Sequence, residues 1–131
     1  MSIEIKVRLK LLKPVPSLKC SSYSYYLEKN GVKFYRVCIE NGMYIVYDTI
    51  FEEPDYEKKI SRLERRLYDM IVGEESLAEK LSEIADPRLR HIVERQFYGY
   101  GVLEPFFLDD NVVNVHILAK KPVQVIHRAM G

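Results

Sequence analysis

The chain has 131 residues, 47% of them hydrophobic and 30% charged, and its 20 Lys/Arg against 19 Asp/Glu leave a formal net charge of +1. That length fits one domain, or one unit of two small subdomains, and folding it buries roughly two thirds of the surface the unfolded chain exposes, so a core forms without help from disulfides. The even charge balance argues against a nucleic-acid binder with a net basic field, and no apolar run approaches the ~18–20 residues of a helical membrane span.

Residues 1–53 read as an antiparallel β subdomain. Residues 2–12 alternate, with Ile3, Ile5, Val7 and Leu9 on one side and Glu4, Lys6, Arg8 and Lys10 on the other, the pattern of a half-buried strand. This start has no apolar h-region, so no signal peptide is expected and the location expected is the cytoplasm. Pro14 and Pro16 interrupt the pattern. The run 21–27, Asn30-Gly31, the run 32–39, Asn41-Gly42 and the run 43–47 then predict a meander, because both central residues of a two-residue hairpin turn must accept positive φ. Two readings stand for its tyrosines, cross-strand aromatic pairs or a stacking platform for single-stranded nucleic acid, and strand preference together with near-neutral charge favours the first. The two cysteines, Cys20 and Cys38, form no CxxC pair and join no Cys/His cluster, and are expected to be buried thiols.

Residues 54–98 change period and predict three helices. Tyr56, Ile60, Leu63, Leu67, Met70 and Ile71 fall at helical spacing behind Pro54, which suits a first turn, and Gly73 ends the helix. Ser76 and Glu79 make a capping-box pattern before Leu77, Leu81 and Ile84. Asp86 and Pro87 suit the N-cap and first position of a third helix with Leu89, Ile92, Val93 and Phe97 inward and Gly99 closing it. Arg62, Arg65 and Arg66, beside Lys58 and Lys59, form a basic face. It is either a docking surface for an acidic partner or anionic headgroups, or a solvated face with Asp69 in reach of Arg65 and Arg66, and the solvated face is favoured.

Residues 99–131 read as a turn followed by the hairpin that opens a mixed α/β sheet. Val112 to Leu118 and Pro122 to Arg128 flank Ala119-Lys120-Lys121, and Gly131 reads as an imposed end. Gly99-Tyr100-Gly101 is not a phosphate loop, because its glycines follow a helix and the next elements expected are Pro105 and a strand, whereas a phosphate cradle leads into a helix N-terminus. Asp109 and Asp110 suit turn chemistry. His116 and His127 lie on adjacent expected strands and can approach each other, but without a carboxylate or thiolate partner they make a poor metal site. No nucleotide-binding, metalloprotease or nucleophile motif occurs, and no catalytic or metal-binding residue is assigned.

The run Tyr98-Gly-Tyr-Gly-x-x-Glu-Pro-Phe-x-x-Asp-Asp-x-Val-Val-x-Val, a hairpin, then Pro-Val-x-Val-x-His-Arg-x-x-Gly resembles the N-terminal domain of the secretion, pilus and archaellum ATPase superfamily, most closely its archaeal members. The resemblance covers roughly residues 87–131. It departs at Asn111, where proline is usual, and at Asn114, where an acidic residue is usual. It implies an α+β N-terminal docking domain, itself non-catalytic, that packs on a RecA-like ATPase domain and neighbouring subunits of a hexameric ring and passes work to a membrane platform protein. ATP and Mg would belong to that further domain. Arg128 is the residue whose position matches an arginine that approaches the nucleotide phosphates, since a guanidinium bridges phosphate oxygens bidentately. Gly99, Tyr100, Gly101, Glu104 and Pro105 form the joint. The alternative expectation is a free-standing adaptor or a single-stranded nucleic-acid-binding module using the tyrosines and the Lys/Arg alternation of residues 6–19.

Overall fold

The computed structural model describes residues 7–16, 20, 23–73, 76–117 and 123–128. Among these residues the fold is α+β, as expected: a three-stranded antiparallel meander, helices, then a two-stranded antiparallel hairpin. The meander is β1 (Tyr23–Lys29), β2 (Val32–Glu40) and β3 (Met43–Asp48). Its two turns are the Asn-Gly pairs, where Asn30, Gly31, Asn41 and Gly42 have φ of 53°, 79°, 51° and 73°. That pair of left-handed residues matches the twist of the flanking strands. The register sets Tyr25 against Val37, Leu27 against Tyr35 and Tyr44 against Ile39. Period two therefore sorts the tyrosines, with Tyr25, Tyr35 and Tyr44 on the face that carries Leu27, Val37 and Val46. Tyr26 lies on the other face, under Lys33 and Arg36 with cation-to-centroid distances of 4.6 and 5.1 Å.

Two helices carry most of the second core. α1 (Tyr56–Val72) buries Ile60, Leu63, Leu67 and Met70, and α3 (Pro87–Tyr98) buries Leu89, Ile92 and Val93. They meet each other together with Leu9, Ile50 and Ile84. Asp86 caps α3 by accepting the Arg88 N–H at 2.9 Å, with Pro87 in the first turn. Between them α2 (Leu77–Lys80) is a single turn that continues as a 3-10 turn to Glu83. After α3 come a 3-10 turn (Gly101–Leu103), the short helix α4 (Glu104–Leu108), then β4 (Val112–His116) and β5 (Gln124–His127), which pair antiparallel.

Several expectations are corrected. Residues 7–12 keep the expected facing, Leu9 buried and Arg8 and Lys10 exposed, but form no strand. Their N–H groups go to side chains instead: Leu9 donates to Glu64 Oε2, Lys10 to Gln96 Oε1 and Leu12 to Asp48 Oδ2, each at 2.8 Å. Alternation reports an extended chain, and says nothing about whether a neighbouring strand pairs with it. Cys20 and Cys38 are joined in a disulfide with Cα atoms 5.4 Å apart, not held as thiols. CxxC spacing has no bearing on a pair 18 residues apart, in which Cys20, ahead of β1, is joined to Cys38 on β2. Pro54 precedes the N-cap Asp55 rather than entering the first turn, and Ser76 makes no side-chain cap bond. Ile71 and Phe97 are exposed; on α3 the buried arc turns toward Arg95 and away from Phe97. Residues 1–6, the turn 119–121 and the end 129–131 lie outside the described residues.

Candidate docking site

The joint after α3 closes on itself. Gly99 has φ −123° and ψ −152°, extended backbone open to any residue, so its glycine answers to space rather than to torsion. A Cβ there would collide with the Glu104 carboxylate and stand 3.1 Å from the Arg95 Cα. Gly101, by contrast, has φ 60°, in the left-handed region. Glu104 Oε1 accepts the Tyr100 N–H at 2.7 Å, and Pro105, buried, occupies the first turn of α4. The expectation that Pro105 leads directly into a strand is corrected, because the one-turn α4 intervenes. The Tyr100 N–H that a phosphate would need is taken by a carboxylate, which places negative charge where an anion would have to sit.

This turn points its aromatic residues outward. Tyr100 and Phe107, 65% and 64% exposed, stack with centroids 4.4 Å apart and planes at 22°. Tyr98, 59% exposed, stands at the end of α3 beside them. Next to the stack a groove of about 840 Å³ is lined by Phe34, His91, Glu94, Tyr98, Gly99 and Phe107, among others.

Under the groove lies a buried polar network. Arg95, 2% exposed, donates through Nη1 to Asp48 Oδ1 at 2.5 Å and through Nη2 to Asp48 Oδ2 at 2.8 Å. The same guanidinium reaches the Tyr35 hydroxyl at 3.1 Å and the Lys10 carbonyl at 2.9 Å. Because Tyr35 accepts from Arg95, its own proton goes to His91 Nε2, 2.6 Å away, which leaves the imidazole proton on Nδ1. Burial, then the Arg95 charge, pull the His91 imidazole below its ordinary value, consistent with that neutral tautomer. Burial likewise pushes the Tyr35 hydroxyl up to about 12. One network thus ties β2, β3, α3 and the extended segment 7–12 to one another.

A second cluster fastens the hairpin to the meander. Asp109, 3% exposed, accepts the Asn111 N–H at 2.9 Å on Oδ1 and the Tyr44 hydroxyl at 2.6 Å on Oδ2, which also takes a short bond from the Tyr25 hydroxyl. With the Tyr25 proton spent on Asp109, His127 Nε2, 2.6 Å away, is the donor to Tyr25. Burial first, and Asp109 second, raise both phenols far above ordinary tyrosine, so they are neutral donors and not bases or nucleophiles at neutral pH. Chemically the arrangement is a latch. It spans β1, β3, the turn at Asp109 and β5.

The remaining residues singled out from the sequence are scattered. Arg128 follows β5, exposed, with its N–H on the Asn111 carbonyl at 2.9 Å. Arg62 and Arg65 are exposed, while Arg66 is 3.4 Å from Glu83 instead of pairing with Asp69. His116 and His127 do not meet: His127 is opposite Val112, and His116 is opposite Gln124 at the other end of the hairpin. The described residues hold no cluster of three His, Cys, Asp or Glu able to bind a metal, and no helix long and apolar enough to cross a membrane. Neither buried network was anticipated. Asp109 carried the one usable signal, an acid at a turn that sequence reading assigned only to turn chemistry. No protein-family model, no curated protein and no solved structure matches the chain.

Proposed function

We propose that the chain is the docking domain of a secretion-type ATPase, itself non-catalytic, working beside a RecA-like domain that binds ATP and Mg. The observation that carries this reading is the joint. The Gly-Tyr-Gly-x-x-Glu-Pro motif that prompted the resemblance folds into a self-capped turn holding the Tyr100–Phe107 stack against solvent. A rigid, exposed aromatic face beside a groove is what a packed domain or neighbouring subunit needs. Arg128, exposed at the end of the hairpin, would in this reading approach the nucleotide phosphates of the RecA-like domain through a bidentate guanidinium. In this proposal the domain works in the cytoplasm, tied to the membrane through a platform protein. A disulfide such as Cys20–Cys38 persists there in hyperthermophilic archaea, whose intracellular proteins are rich in them.

The test is to read the coding sequence past residue 131. A phosphate-binding GxxxxGK[ST] within the next ~200 residues, enough for one further domain, is the expected result. Its absence removes the proposal. The nucleic-acid reading gains little from the meander's tyrosines, since the Tyr35 ring is buried and the Tyr26 ring lies under Lys33 and Arg36.

A further inference from the structure

The outer pole of α1 is unlike the rest of the helical layer. Lys58, Arg62 and Arg65 recur at i, i+4 and i+7, opposite the buried Ile60, Leu63, Leu67 and Met70. All three are exposed, and among the described residues their side chains make no ion pair or hydrogen bond. Neighbouring cations are held. Lys59 bonds Glu53 and lies 3.7 Å from Asp55, Arg66 is 3.4 Å from Glu83, Lys80 is 3.2 Å from Glu83 and Arg88 is 2.9 Å from Asp86. Arg90 donates to the Ile84 carbonyl at 2.8 Å. Asp69 lies on the same pole, and among the described residues it pairs with neither Arg65 nor Arg66. Val72, 60% exposed, ends the stripe. Alongside, Glu64 pins the segment that exposes Arg8 and Lys10.

The shape of this face narrows the partner. It is the outward side of a helix, and Lys58, Arg62 and Arg65 do not line the groove beside the Tyr100–Phe107 stack. A protein partner typically anchors its affinity on buried aromatic or Arg side chains in a pocket, and these three residues line no groove described above. Single-stranded nucleic acid needs aromatic rings to stack on beside the cations, and α1 exposes no aromatic ring on this pole. A charged plane requires neither. We infer that this face of α1 lies against an anionic lipid bilayer, with Lys58, Arg62 and Arg65 at headgroup level and Val72 at the boundary with the acyl chains. This assignment does not depend on the ATPase reading.

Near an anionic surface each Lys or Arg changes partitioning about fivefold, so loss of two weakens binding roughly 25-fold. The experiment is co-sedimentation of the 131-residue chain with vesicles of phosphatidylcholine alone and of phosphatidylcholine with phosphatidylglycerol, at low and raised salt. The chain should sediment with the anionic vesicles only and be released by salt. Arg62→Ala/Arg65→Ala should lose that binding, while Lys33→Ala on β2 keeps it. Lys58→Ala/Arg62→Ala supplies a second variant with the same expected loss should the first alter the fold. No binding to the anionic vesicles overturns the inference, as do equal binding to neutral ones or variants that bind like the parent. Retention by an acidic polypeptide or an oligonucleotide in place of vesicles overturns it in favour of that partner.

Discussion

Replacing Asp48 by asparagine keeps the shape of the side chain and removes its charge, which isolates what the buried ion pair does. Asp48 and Arg95 have side chains 2% and 1% exposed, so neither is screened by water in the folded chain. Asp48→Asn leaves the Arg95 guanidinium buried without a counter-charge and turns one acceptor into an N–H₂ donor. That donor faces either Arg95 or the Leu12 N–H, which the carboxylate now accepts at 2.8 Å. Breaking a buried pair from one side costs about 3–5 kcal/mol, a large share of the 5–15 kcal/mol typical of a domain. With a urea m-value of about 1.5 kcal/mol per molar, within the usual range for small domains, the unfolding midpoint should fall by about 2–3 M. The double variant Asp48→Leu/Arg95→Met should recover part of this loss, because the uncompensated charge has gone. Recovery stays incomplete, because the Lys10 carbonyl, the Leu12 N–H and the Tyr35 hydroxyl each lose a buried partner, at about 1–3 kcal/mol per group. A fall in stability below about 1 kcal/mol for Asp48→Asn, or a double variant equal to the sum of the two single ones, would refute the role given to this network.

Further consequences can be measured on the same chain. Reduction, or Cys20→Ser/Cys38→Ser, removes a cross-link between residues 18 apart; loop-closure entropy for that length gives a loss of about 3 kcal/mol, and two titratable thiols in unreduced folded protein would contradict the pairing. Gly99→Ala should destabilise by about 1–3 kcal/mol through overpacking against the Arg95 backbone and the Glu104 carboxylate, read as a lower melting temperature; an unchanged melt would show that the joint yields. His91 is held below its ordinary value, so its contribution is full above about pH 6.5 and is lost as pH falls toward its depressed folded value, where the unfolded chain takes the proton first. Stability should therefore decline below pH 6.5, and less so in His91→Gln. Tyr25, Tyr35 and Tyr44 are shifted the other way, so what they add is complete below about pH 10 and declines above it as the unfolded phenols ionise; spectrophotometric titration should show three phenols resisting ionisation until the chain unfolds.

The elements were largely legible in the sequence because their signals are local. Asn30-Gly31 and Asn41-Gly42 demand positive φ and received it, and Asp86-Pro87 supplies a cap and a fixed φ together. The stripe from Ile60 to Met70 is a period, readable without knowing what it packs against. What escaped is non-local. Arg95 looks like an ordinary exposed helix residue until Asp48, 47 positions away, is brought opposite it. Tyr25, Asp109 and His127 span 102 positions and belong to four different elements of the fold with Tyr44. The disulfide failed for the same reason. At the joint, order along the chain does not separate the glycines from a phosphate loop, because the helix α4 follows them; the separation comes from Glu104, which folds back over Gly99 and takes the Tyr100 N–H.

We propose above that the Tyr98–Leu108 joint docks this chain on an ATPase domain. The most direct measurement is ATP turnover by the protein continued past residue 131, compared with the same protein carrying Tyr100→Ser/Phe107→Ser. The expected result is hydrolysis by the parent and a several-fold lower rate, with weaker ring assembly, in the variant. A continued chain that does not hydrolyse ATP, or turnover and assembly untouched by loss of the aromatic stack, would contradict it.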